Sequence, residues 1–346
     1  MRKLGILIAF LCLIAVPVSA MDYTAPKAPE EAEALIPVDT ESFGEGLWKV
    51  VTSAVAALQP DIADAAQVCL SLVAVVILVS LLKAMPGSTA NVLKFAGVLA
   101  IAALLLSRTS SMISVAADTV KELSEYGKLL VPIMTAALAA QGGTASSAAL
   151  YTGTAVFDAV LSAGITKLLI PLVYLFLALS IAASATGEPM LGRIKGFVKW
   201  LMTWSLKIIL YIFTGYMGVT GVVSGSADAA AVKATKLTMS GMIPVVGGIL
   251  SDASEAVIVG AGVMKSAVGV YGLLAVIAIW IAPFLKIGVL YLLLKLTAAL
   301  CEAFDVKSMS DMINSFSTAM GFLLGMTGSI CILLLISTVC FMKGVG

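Results

Sequence analysis

Histidine is absent from all 346 residues. That removes the side chain most used near neutral pH as general base, proton relay or metal ligand. Charge is scarce too: 12% of residues are charged, where soluble domains carry about 25%, and 60% are apolar. With a mean hydropathy of +1.09, this composition excludes a soluble domain with one buried core. The net charge of +1 gives no global field for nucleic acid. Five cysteines, Cys12, Cys69, Cys301, Cys331 and Cys340, form no C-x-x-C pair. Those beyond Cys12 lie in or beside apolar runs and read as small core hydrophobes, not as disulfides or metal ligands. Gly260-Ala261-Gly262 is not followed by G-K-[ST], and H-E-x-x-H and G-x-S-x-G are missing. No catalytic, cofactor or metal site is expected, and the chain is not expected to be an enzyme.

What is present is a set of apolar runs behind a signal-like start. Arg2 and Lys3 precede an apolar stretch at 4–16, and Val18-Ser19-Ala20 suits a signal peptidase. Cleavage is expected between Ala20 and Met21, with an uncleaved anchor as the alternative. Residues 21–64 hold nine acids and two lysines, interrupted by Pro26, Pro29 and Pro37. They read as an acidic extracytoplasmic segment, extended at first, with an amphipathic helix at 46–58.

Loop charge then sets a topology. Spans are expected at 66–82, 92–106, 168–185, 200–223, 267–285, 286–300 and 319–342. The basic stretches at 83–94 and 193–199 are placed in the cytoplasm. The mixed stretch 108–128 and the acidic 302–311 are placed outside. Seven spans, or as many as nine, put the N-terminus out and Lys343 in. The fold class is therefore all-α, a polytopic integral membrane protein. Lys207 and Lys286 are expected to snorkel from span ends, and Asp158 and Lys167 to mark helix ends.

Two small-residue segments, 129–163 and 242–262, each carry a proline (Pro132, Pro244) and paired glycines (Gly142-Gly143, Gly247-Gly248). They read either as re-entrant hairpins or as closely packed helices. Pro132 and Pro244 share a 112-residue offset with Pro171 and Pro283. This suggests a duplication: a first hairpin at 66–114, repeat 1 at 115–226 and repeat 2 at 227–346. Opposite loop charge at equivalent positions suggests inverted repeats, as in many transporters. The candidate pore or gating residues are Pro244, Gly247, Gly248, Asp252, Glu255 and Lys295. Asp252 and Glu255 stand three apart on one helix face, either lining a path or lying at the membrane surface.

The stretch from Ser240 to Val257, Gly260-Ala261-Gly262 with Lys265, and Pro283-Phe284-Leu285-Lys286-Ile287-Gly288 with Tyr291 to Leu296 resemble the stage III sporulation protein AE family of endospore-forming Firmicutes. The signal, acidic head and polytopic body fit as well. The resemblance implies a mother-cell membrane component of the transenvelope channel between mother cell and forespore. It implies partners from the same operon: small membrane proteins, ring-forming proteins and a secretion-type ATPase, with a forespore membrane protein completing the channel and the bilayer as solvent. It carries over no catalytic or ligand residue. The alternatives are a non-conducting scaffold that anchors the ring proteins, and an independent small-molecule transporter.

Overall fold

The computed structural model describes residues 25–36, 43–83, 90–242, 247–304 and 306–343, with side chains described at 25–36, 43–83, 92–220, 267–304 and 306–343. All regular structure among them is helical: α1 (Glu30–Glu33), α2 (Phe43–Ala57), α3 (Gln59–Lys83), α4 (Ala90–Ala140), α5 (Thr144–Gly164), a π-helical turn (Ile165–Leu169), α6 (Ile170–Thr186), α7 (Pro189–Met242), α8 (Gly247–Glu302) and α9 (Lys307–Lys343). A chain this apolar must satisfy its backbone polar groups within each segment, and a helix does so without a partner.

Among the described residues, six helices are long and apolar enough to cross a bilayer: Gln59–Lys83, Val92–Ala140, Thr144–Thr186, Pro189–Thr220, Ala267–Glu302 and Lys307–Lys343. The chain is thus an all-α polytopic membrane protein, with a span pattern that differs from the sequence expectation in two places. Residues 108–128, expected as an external stretch, lie inside the unbroken α4. No turn separates 267–285 from 286–300, because α8 runs through Pro283 and Lys286. Loop charge misled here because these charges have partners on neighbouring helices. Arg108 Nη2 meets Asp64 Oδ2 at 3.0 Å, and Lys286 Nζ meets Asp61 Oδ1 at 2.9 Å. Lys286 is therefore a mid-helix ion-pair partner and not a snorkelling end residue.

The punctuation follows local chemistry. Gly142 supplies a φ of +93° for the turn from α4 to α5. Gly187, at φ +78°, ends α6 and donates its N–H to the Ala183 carbonyl; Pro189 then opens α7. Pro171 sits in the first turn of α6, just after the π-helical turn. Proline has no N–H and crowds the carbonyl four residues back, and the wider turn accommodates it. The segment 129–163 is therefore the end of α4, a glycine turn and α5.

Helix directions follow from paired contacts. Lys94 lies against Gly187 and Ser124 bonds Asp158, so α5 and α6 run antiparallel to α4. Met309 meets Gly97 and Leu334 meets Gly127, so α9 runs parallel to α4. Lys295 bonds Asn314 and Met342 meets Gly269, so α8 runs antiparallel to α9. Consequently α6, with Pro171, and α8, with Pro283, point the same way. The proposed repeats share one orientation and are not inverted. The basic stretch after α6 and the acidic stretch before α9 sit side by side at one end, where Lys195 Nζ donates to Ser315 Oγ at 3.2 Å. Their opposite charges reflect proximity, not opposite sides. The same alternation leaves Lys343 at the end away from these connections, against the sequence expectation that it shares the side of the basic stretches at 83–94 and 193–199.

The bundle's axis is α9. In its most apolar window 61% of residues are buried, against 22–44% for the other five helices. Phe316, Met320, Leu323, Met326, Ile330 and Leu334 recur at steps of three and four and are essentially inaccessible. Ser317, Thr327 and Ser337 are equally buried, whereas Gly325, Ile332 and Val339 keep one stripe of the helix open. A helix buried over all but one stripe marks the middle of the bundle.

Candidate functional site: a basic groove beside the central helix

Between α7, α8 and α9 lies a groove of about 690 Å³. Its floor is α9, where Gly321, Gly325 and Gly328 stand at helical spacing on one face. Gly328 has no neighbour within 4 Å of where a Cβ would stand, and Gly325 has only the Leu206 tip at 3.7 Å. The missing side chains give the groove its depth. Trp280 and Phe284 of α8, with ring centroids 4.2 Å apart, form an apolar wall.

Three lysines line this apolar trough: Lys199 and Lys207 of α7, and Lys295 of α8. No carboxylate among the described residues lines it. Lys295 Nζ donates to Asn314 Oδ1 at 2.7 Å, a neutral partner that leaves the charge uncompensated. The Trp280 indole N–H is buried with no acceptor. Exposed aromatic residues continue along α7, with Phe197, Trp200 and Trp204 in successive contact. An apolar trough with ammonium groups along its length suits an anionic amphiphile, lipid or helix. What the described residues offer there is charge and shape, the means to hold such a group.

Of the sequence candidates, Lys295 is in this groove. Gly247 and Gly248 open α8, and Asp252 and Glu255 follow one turn later on it, with side chains outside the described set. Pro244, Ala20 and Met21 lie outside the described residues. Lys207, expected at a span end, lines the groove. The residue that sequence reading misplaced is Asp158. Expected at a helix end, it stands inside α5 with 5% exposure. The signal was available: it is the sole acid between Glu125 and Glu188, inside an apolar run. Cys69, Cys301 and Cys331 are free and buried, as their apolar settings suggest.

A polytopic helical bundle with a largely buried central helix and a lysine-lined side groove defines an integral membrane protein. Sequence comparison gives the family. The profile for stage III sporulation protein AE matches residues 36–344, and the chain belongs to that family. Stage III sporulation protein AE of Bacillus subtilis (strain 168) is similar at 26% identity over 190 residues, 55% of this chain. That alignment spans 48% of the relative, about half its length. No solved structure matches. Family membership assigns the chain to sporulation.

Proposed function

We propose that the protein is a core membrane subunit of the channel joining mother cell and forespore, and that any path it forms runs between chains. The observation that carries this reading is the position of α9. α9, the most buried of the six spans, runs through the bundle with only the stripe through Gly325, Ile332 and Val339 open, which leaves little room for a path within one chain. Lys83, Lys94, Arg193, Lys195, Lys199 and Lys307 gather at the end holding the connections to α4, α7 and α9. Positive charge of that kind marks a cytoplasmic end, here the mother-cell side. The acidic α1 lies towards the opposite end, with the Ala28 backbone beside Tyr271 of α8. That end would face the space between the two membranes, where the ring-forming partners would meet it.

The packed axis also favours the scaffold reading, in which the chain anchors ring proteins without conducting. Deleting the gene in its sporulating host should stop spores maturing after engulfment, and unimpaired maturation would refute both readings. Asp252→Ala with Glu255→Ala then separates them. Spore failure with the purified complex intact supports a path-forming subunit. Spore failure with lost assembly supports the scaffold.

A further inference from the structure

A second cavity, about 180 Å³, lies between α4, α5 and α9 and touches Lys128, Pro132, Tyr151, Thr154, Asp158 and Leu334. Three oxygens belong to residues that line it, and each is available for a separate reason. Asp158 Oδ2 accepts the Ser124 hydroxyl at 2.6 Å, which fixes the carboxylate. Its Oδ1 is buried with no partner among the described residues. Thr154 Oγ1 spends its hydrogen on Ser337 Oγ at 2.9 Å, which leaves its lone pairs free. Pro132 lies inside α4 and has no N–H, so the Lys128 carbonyl, four residues earlier, loses its helical donor.

A buried carboxylate oxygen without a partner is costly, and native structures rarely leave one. A carboxylate, a hydroxyl and a carbonyl freed by proline are hard oxygen ligands of the kind that hold alkali cations inside membrane bundles. The volume accommodates an ion with one or two waters, given the roughly 30 Å³ share of a water in the liquid. One carboxylate supplies one negative charge. A divalent ion would therefore remain uncompensated in an apolar bundle, where net charge is most expensive.

We propose that Asp158 Oδ1, Thr154 Oγ1 and the Lys128 carbonyl bind a hard monovalent cation, with sodium as its probe. Lys128 is the one cationic side chain at the cavity, and its residue is exposed. Tyr151 of α5 is the other titratable neighbour lining it, while α9 contributes Leu334. The cation would tie α4, α5 and, through Thr154 and Ser337, the central α9.

The test uses the full chain in nanodiscs, melted in sodium chloride or choline chloride at equal ionic strength. Sodium should raise the melting temperature saturably, with about one radioactive sodium bound per chain. Asp158→Asn, which keeps shape and the Ser124 contact, should abolish both effects while melting cooperatively. Thr154→Val should raise the sodium concentration needed by about tenfold. Equal melting in the two salts would overturn the proposal, as would a sodium effect retained by Asp158→Asn. It would also fail if sodium acted on Lys128→Gln but not on the unaltered chain, since the ammonium would then be the resident counter-charge.

Discussion

Replacing Gly153 with alanine tests how tightly α5 and α7 are joined. Gly153 is buried beneath the Tyr216 ring. A Cβ there would stand 2.9 Å from Cδ1 and 3.1 Å from Cζ of that ring, with Cε1 closer still. A flexible side-chain tip could yield; an aromatic edge cannot, and the ring must leave. Leaving breaks the bond from the Tyr216 hydroxyl to the Ala149 carbonyl (3.0 Å) and separates the ring from Phe157 (centroids 5.8 Å). Overpacking costs about 1–3 kcal/mol. The lost hydrogen bond adds about 1 kcal/mol, at the low end because Tyr216 is partly exposed. Alanine returns up to about 1 kcal/mol through its better helix propensity. The net expectation is a loss of about 1–3 kcal/mol, read by reversible unfolding in mixed micelles. Tyr216→Ala should remove most of the penalty, because the double variant no longer holds the clash. A Gly153→Ala variant as stable as the unaltered chain would refute the reasoning.

Other outcomes follow from the same packing. Phe316→Ala, at the inaccessible centre of α9, should cost about 3–5 kcal/mol, whereas Leu292→Ala, 64% exposed, should stay within about 0.5 kcal/mol. Lys286→Glu sets three acids together with Asp61 and Asp64 and should lower the melting temperature; adding Asp61→Lys should restore it, and failure to do so would remove the cross-helix pair from the account. With native cysteines replaced, Lys195→Cys and Ser315→Cys should be joined by a short bismaleimide, as the side-by-side ends require; an inverted arrangement would leave them unlinked.

Much of the fold was legible because apolar length is a direct physical requirement of the bilayer. The run at 66–82 became the body of α3, and the amphipathic stretch at 46–58 became most of α2 and the turn at Leu58. What failed was the use of isolated charges as boundaries. Arg108 and Lys286 look like loop residues until Asp64 and Asp61 are brought beside them, and that pairing is tertiary. α4, at 51 residues, is about 76 Å long by its 1.5 Å rise. It far exceeds a hydrocarbon core of about 30 Å, so charge inside the helix need not be charge inside the membrane. The inverted repeat failed for a related reason: residues 193–199 and 302–311 carry opposite charge because they meet.

The groove was only partly legible. Lys295 stood out as a charge in an apolar run, but Lys199 and Lys207 belong to another helix and join it by packing. The glycines of α9 read as ordinary membrane-helix residues until their common face was seen to border an open trough. Asp158 was visible as a lone acid. Its burial was not, since that depends on α4 and α9 closing over α5.

Substituted-cysteine reactivity along α9 tests the central claim most directly. In a chain whose own cysteines have been replaced, cysteines placed at Ser317, Thr327 and Ser337, each inaccessible, should resist a small water-soluble thiol reagent. Rapid reaction at all three would put water along the chain's own axis, and the path would then run through one chain rather than between copies.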